Sequence, residues 1–506
     1  MLEAGCVEEE AAPQAAVGVR RAALLVALGT VALHLACGGS YGWFRDEMYF
    51  IACGRRLAWG YVDQPPLVAL VARASLWLSG GSVLAFRAPA ILAHASTVLL
   101  VGLFAARLGG GRFAAALAGI CAALAPTLLA EGHLLSMNVF EILLWMALLH
   151  VILRVIDGGD PRLLLAAGGL AGIGVLNKHS FALLCATLLA GLLATPQRSI
   201  LRSRYALLGA ALGAAIVLPH AVWQARNGFP MLELLAAQQW KNVRLPPLRF
   251  VAQLALEMHP VTVPVWIAGL WLAWRTPRLR PFALSAVGIV ALFALLRGKP
   301  YYASPVFPPL FAAGGVQLER VLGHGARAVA LAAVAVLGLA TAPLAIPLLA
   351  PDALVRWQAL LRAEPPRTEQ HRFGALSQHF ADQLGWPELA RAVEQAAAQL
   401  APGERAAVFT QNYGEAGALE LLGRGLPPVV SGHNSYFTWG PPRADVLLVV
   451  GGREEDHRRA CSEVRTLARV SHVEHAMPYE QDLPIFSCRG LRVPAAELWV
   501  RVKHYE

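Results

Sequence analysis

The chain has 506 residues, of which 56% are hydrophobic and only 15% charged, against roughly 25% charged in ordinary soluble domains. That composition excludes a soluble globular protein and points to the bilayer. The formal charge of +10 is spread over short basic clusters between apolar runs; membrane topology explains that pattern and nucleic acid is not an expected partner.

In chain order, the N-terminal MLEAGCVEEEAAPQ is acidic, unlike the basic start of a signal peptide, so the run from Arg20 onward is expected to be an uncleaved first span. Apolar runs at 22–38, 83–106, 113–130, 137–153, 205–223, 251–274, 281–296 and 328–349 approach the ~20 residues that cross a bilayer. The run 163–195 is too long for one span and breaks at NKHS, which predicts two short helices, and 303–319 adds a Pro-rich span, for about eleven in total. Arg20, Arg21, Arg107, Arg112, Arg154, Arg162, Arg198, Arg202, Arg204, Arg275, Arg278, Arg280, Arg320 and Arg327 all fall on one side. The positive-inside rule makes that side cytoplasmic. The expected location is thus the cell inner (plasma) membrane, multi-pass, with a cytoplasmic N-terminus. Residues 39–82, EGHLLSMN, the NKHS break, 224–250, RGKPYY and everything after 350 are expected outside. Arg297 and Lys299 sit there against the charge rule, which suggests that they are kept for another purpose.

After Pro351 the apolar runs stop. The expected division is a membrane module at 1–350 and an extracytoplasmic α/β domain at 351–506. There RAAVFT, PPVVSG and ADVLLVVGG read as strands and GEAGALELLG as a helix with a Gly stop. The seven cysteines show no CxxC pair and no zinc spacing. Cys6, Cys37, Cys121 and Cys185 lie at or inside the apolar region and read as inert thiols. Cys461 and Cys488 are the two cysteines of the C-terminal region, where an extracytoplasmic location favours a disulfide.

The chemistry-bearing stretch is YGWFRDEMYFIACGRRLAWGYVDQPPL, just beyond the first span. Asp46 and Glu47 stand among Tyr41, Trp43, Phe44, Tyr49 and Phe50. An isolated acidic pair is usually a solvated surface feature, but a partly buried aromatic layer raises a carboxylate pKa toward general-base values. Asp63 adds a third acid, and the LVALVARASLWL that follows is too short to span and suits the membrane surface. Asn138 and Glu141 share one helical face, and an acid such as Glu141 inside a span is costly unless paired or facing a cavity. Lys178, beside His179, and Lys299, with Tyr301 and Tyr302, can supply cationic and phenolic donors at the membrane surface, or can simply snorkel to it. In the C-terminal region Asn412, Tyr413, Glu415, His433, Asn434 and Trp439 follow apparent strands. They are candidate ligand-binding residues, with ordinary turn chemistry as the alternative.

The first-loop segment, together with GLAGIGVLNKHSFALL and RGKPYYASPVFPPLFAAGG, resembles the GT-C membrane glycosyltransferases, specifically the family 39 proteins related to protein O-mannosyltransferases and the lipid A aminoarabinose transferase. The resemblance runs in order over most of residues 20–320. It implies inverting transfer of a sugar from a polyprenyl-phosphate donor to an acceptor hydroxyl on the extracytoplasmic face, the acceptor being a glycolipid, a protein or a cell-envelope glycan. It makes Asp46 the catalytic carboxylate, with Glu47 orienting the acceptor or a cation. Relatives often carry an acid in the second outer loop, where Asn138 stands here, so a divalent metal is possible without being required. The rival readings are a polyprenyl-glycolipid transporter or flippase and a degenerate binding subunit. The concentration of unusual charge in outer loops and the lack of an internal repeat disfavour transport.

Overall fold

A computed structural model describes residues 3–37, 41–241, 243, 245–364 and 374–506. The chain divides into two compact units: 1–38 with 87–221 and 244–348, and 39–86 with 222–243 and 349–506. Residues 39–86 and 222–243, which take in the expected outer loop 39–82 and much of 224–250, thus share a unit with the C-terminal segment, an association that chain order does not reveal.

The first unit is all helix. Among the described residues, six helices are long and apolar enough to cross a bilayer: Ala16–Ala36, Val83–Arg107, Met137–Ile156, Arg204–Arg226, Pro277–Leu295 and His324–Leu344. Three more spans arise if bent pairs are counted whole, for up to nine. These are Arg112–Leu124 with Pro126–His133 (64°), Ser180–Leu193 with Pro196–Arg202 (111°) and Pro247–Glu257 with Pro260–Arg275 (97°). Each second member begins at a proline, which lacks the N–H needed to continue a helix. The expected eleven counted the apolar helices Leu163–Asn177 and Phe307–Val321, which at 15 residues each are shorter than a full span. The break at NKHS is present, separating Leu163–Asn177 from Ser180–Leu193.

Small residues set the helix spacing in this unit. A Cβ on Gly269 would lie 1.9 Å from the Leu310 carbonyl oxygen, and one on Gly314 at 1.9 Å from that of Val265. Only glycines allow these two backbones to touch. Phe104, Trp145, Phe181, Phe282 and Phe311 fill the core between helices. Cys37 and Cys121 are buried thiols and Cys185 is half-buried, while the side chain of Cys6 lies outside the described residues.

The second unit is α/β. Strands β1 (Ala406–Thr410), β2 (Val429–Ser431), β3 (Val446–Val450), β4 (Cys461–Arg469) and β5 (Pro484–Leu491) form one sheet in the order β2-β1-β3-β5-β4. The three strands legible from sequence are parallel, and β5 and β4 add an antiparallel edge. Cys461 and Cys488 are joined across β4 and β5, with Cα atoms 5.7 Å apart. The helix Leu67–Ser79 buries Val68, Ala69, Ala72 and Ser75 and exposes Leu70, Trp77 and Leu78. That two-faced pattern matches the surface helix expected after the Pro-Pro.

Candidate active site

The second unit collects the first-loop acids. Arg45–Arg55 forms a helix whose first turn carries Asp46 and Glu47. Glu47 is fully buried and its Oε2 accepts the Phe44 N–H at 3.0 Å. It thereby satisfies a donor that the helix start leaves unpaired. Asp46 is half-buried, and the phenol of Tyr413 donates to its Oδ1 at 2.8 Å.

Asp63 is held in a parallel way. Tyr49 donates to its Oδ1 at 2.8 Å and Asn434 Nδ2 to its Oδ2 at 3.4 Å. The Tyr49 oxygen in turn accepts the Ser435 N–H at 3.2 Å, and Ser435 Oγ accepts the Val62 N–H at 3.1 Å. Asn434 adopts φ 46°, a left-handed conformation that Asn tolerates better than most residues. Burial pushes the Asp63 carboxyl up to about 7, against the pull of its hydrogen bonds, and the charge on Asp46 raises it further. The two phenols lie ring to ring with centroids 4.6 Å apart, and burial holds both well above the ordinary tyrosine range. They remain protonated donors at neutral pH.

Arg45 is buried behind this pair. Its guanidinium lies 4.5 Å over the Tyr413 ring and donates to the Tyr479 oxygen at 3.0 Å. Tyr479 donates onward to Asp382, whose carboxyl burial pushes up to about 7 while Arg45 pulls it down. Asn412 and Glu415 open the helix Tyr413–Leu422: Asn412 Oδ1 accepts the Glu415 N–H at 2.9 Å, and Glu415 Oε2 accepts the Gln411 N–H at 2.8 Å. Asn412 thus caps the helix start, while Glu415 reaches back past it to Gln411. Asn412 Nδ2 also reaches Glu480 at 2.9 Å; burial raises both Glu415 and Glu480, and the charge of Glu480 raises Glu415 further. His433 is buried and its Nδ1 receives the Tyr413 N–H at 3.4 Å. Trp439 lies 4.3 Å under Arg56, whose guanidinium forks onto Glu420 at 2.7 and 2.9 Å. Of the C-terminal residues singled out in the sequence, Tyr413 and Asn434 therefore touch the aspartates, while Asn412 and Glu415 spend polar atoms on a helix start.

Among the described residues, His433, His504 and Glu506 bring one ligand atom each within 4.8 Å, and Asp352, Glu474 and His475 do the same on the surface. Both His504 nitrogens already face carbonyl oxygens, of Val502 at 2.9 Å and Gln411 at 3.0 Å. That ring serves the backbone better than a cation.

The first unit holds a second polar group, within helices. Glu141 is buried and takes Lys178 Nζ at 2.8 Å and the Ser180 hydroxyl. Lys178 lies 4.8 Å over the Tyr302 ring, and Tyr301 meets Tyr302 edge-on at 4.7 Å. His179 Nε2 is 3.0 Å from His220 Nε2. Asn138 is half-buried at a helix start capped by Ser136, and Lys299 is half-buried where the 3-10 turn Pro300–Val306 begins. Sequence reasoning missed Glu131. It was placed in an outer loop, but the helix Pro126–His133 carries it into the protein, 8% exposed and accepting from Ser304 at 3.4 Å. The rule that marked Glu141, an acid inside an apolar stretch, would have found it. Arg45, Tyr49, Asp382 and Glu480 were missed as well.

Residues 63–223 match the family model described as dolichyl-phosphate-mannose-protein mannosyltransferase. That segment starts at Asp63 and includes the NKHS break, and leaves Asp46 and 299–302 outside it. The crystal structure of ArnT from Cupriavidus metallidurans in the apo state matches with a TM-score of 0.61 at 16% identity, covering 94% of this chain and 98% of that one. The same protein bound to undecaprenyl phosphate matches with a TM-score of 0.61 over 92% and 97%. The arabinofuranosyltransferase AftD from Mycobacteria matches with a TM-score of 0.53 at 15% identity, over 94% of this chain and 40% of that one. No curated protein matches by sequence. The chain thus has the fold of the GT-C membrane glycosyltransferases, as its first-loop, NKHS and KPYY motifs suggested.

Proposed function

We propose that this GT-C protein transfers a sugar, with inversion, from a polyprenyl-phosphate donor to an acceptor hydroxyl on the extracytoplasmic face of the membrane, with Asp46 as general base. The observation that carries this reading is the pair of aspartates in the first-loop unit, each aimed by a phenol: Asp46 by Tyr413 and Asp63 by Tyr49, both at 2.8 Å. Asp46 takes the acceptor hydroxyl proton as the oxygen bonds to the anomeric carbon. The bond from that carbon to the phosphate oxygen breaks, and polyprenyl phosphate leaves with the electron pair. A weakly acidic hydroxyl needs a positioned base for such an attack. Asp63, with its pKa near 7, is partly protonated at neutral pH and lessens like-charge repulsion beside Asp46.

The leaving phosphate needs positive charge and donors. Lys299, Tyr301, Tyr302, Lys178 and His179 are the proposed sources, although Lys178 already spends charge on Glu141. Asn138 and Glu141 are proposed to shape the same donor-side surroundings, with Glu131 added. His433 and Trp439 keep their proposed place on the acceptor side. The undecaprenyl phosphate bound to the structurally similar ArnT supports a lipid-linked donor. The Cys461–Cys488 disulfide supports an oxidising, extracytoplasmic location for the second unit, and the basic loops support a cytoplasmic N-terminus. The acceptor is a glycolipid, protein or cell-envelope glycan.

The test is transfer or hydrolysis of radiolabelled polyprenyl-phosphate mannose and polyprenyl-phosphate arabinofuranose by the purified protein and by Asp46→Asn. Loss of about 10²–10⁴-fold in kcat is expected. Full activity in the variant would remove Asp46 as the base.

A further inference from the structure

We infer that Tyr413, on the C-terminal α/β region, is a positioning residue for Asp46, so that this region completes the reacting site. The inference rests on the reading of Asp46 as the base and extends it to a residue some 370 positions away in the chain.

Four observations converge. Tyr413 donates directly to Asp46 Oδ1 at 2.8 Å, which fixes the plane of the carboxylate. The phenol is itself restrained from three sides: Arg45 at 4.5 Å over one face, the Tyr49 ring at 4.6 Å, and His433 accepting its backbone N–H. Its helix begins at the Asn412 cap, so Tyr413 occupies the first, fixed helical position. Finally, the helix can approach only because of two glycines. A Cβ on Gly414 would fall 2.6 Å from Arg45 Cγ, and one on Gly417 3.0 Å from the Met48 backbone carbon. The spacing Tyr413-Gly414-x-x-Gly417 thus seats the helix Tyr413–Leu422 against the helix Arg45–Arg55 and brings the phenol to the acid.

A hydrogen bond to the ionised form of a carboxylate favours that form. The titratable groups that face Asp46 include Tyr413, Asp63 and Asp382, with Arg45 reached through Tyr413, Glu480 through Arg45 and Tyr49 through Asp63. Replacing the Tyr413 hydroxyl by hydrogen leaves all the others in place. The donor to Asp46 is lost, and the acidic limb of the pH profile moves to higher pH.

The experiment compares Tyr413→Phe, Asp46→Asn and the double variant as full-length protein, with polyprenyl-phosphate mannose and arabinofuranose as probes. Tyr413→Phe should lower kcat by about 10–100-fold with KM for the donor changed less than about threefold, and raise the acidic limb by about half to one pH unit. The double variant should be no slower than Asp46→Asn, because Tyr413 acts through Asp46. A fluorinated tyrosine at 413, a stronger donor of the same shape, should shift the limb the other way, which keeps the question decidable if Tyr413→Phe folds poorly. An inactive Asp46→Asn beside a Tyr413→Phe with unchanged kcat and pH profile overturns this inference alone. Full activity in Asp46→Asn overturns the reading beneath it.

Discussion

The two polar clusters of this protein handle buried charge in opposite ways. In the helical unit Glu141 meets a full countercharge, Lys178 at 2.8 Å, plus a serine hydroxyl. In the α/β unit Asp63 receives neutral donors, the Tyr49 phenol and the Asn434 amide. An opposite charge locks a carboxylate into its ionised form and uses it up. Asp63, buried and bonded to neutral groups, is pushed up to about 7, within the range where a carboxylate exchanges a proton. The difference separates a group built to stay as it is from one built to change protonation.

Breaking the ion pair should have the largest effect on stability. Lys178→Met leaves Glu141 buried beside one hydroxyl, and a buried charge stripped of its partner costs about 3–5 kcal/mol. Thermal unfolding in detergent should show that loss, and Lys178→Met with Glu141→Gln should recover most of it. A Lys178→Met protein as stable as the parent, yet defective in donor turnover, would move Lys178 from structure to catalysis and erase the contrast. The next largest effect belongs to the α/β unit. Cys461→Ser with Cys488→Ser opens a link of sequence separation 27, a loop for which chain entropy gives about 3–4 kcal/mol. Because β4 and β5 form one edge of the sheet while Tyr413 follows β1, stability should fall with the Asp46 pH profile unmoved. A shifted profile would mean that the aspartate site depends on the sheet edge.

The helical unit was legible in the sequence because lipid enforces long apolar runs, and the NKHS break fell where Leu163–Asn177 ends. The count was less legible: hydropathy does not register the proline bends that cut three runs into bent pairs. Asp46, Tyr413 and Asn434 could each be picked out by residue type beside aromatics or strand ends. That Tyr413 reaches Asp46 could not, since nothing local encodes a contact between residues so far apart in the chain. Arg45, Asp382 and Glu480 escaped for the same reason. Each looks like an ordinary surface charge until tertiary packing buries it. Glu47 shows the converse, an acid beside the candidate base that serves the helix start.

The smallest expected effect probes the premise of the comparison, that the α/β acids are free to change protonation. Burial raises folded Asp63 to about 7, whereas an unfolded aspartate titrates near 4. Between those values the folded state holds more protons than the unfolded one, so stability falls as pH rises. Asp382, also pushed up to about 7, and the raised Glu415–Glu480 pair act in the same direction. The parent protein should therefore lose a few degrees of Tm between pH 5 and 7.5. Asp63→Asn should lose measurably less, since the amide oxygen can keep the Tyr49 bond while carrying no titration. If Asp63→Asn and the parent show the same slope, Asp63 ionises in the ordinary carboxylate range. The two aspartates would then both be charged at neutral pH, and the phenols would be holding apart two like charges instead of poising one of them to take a proton.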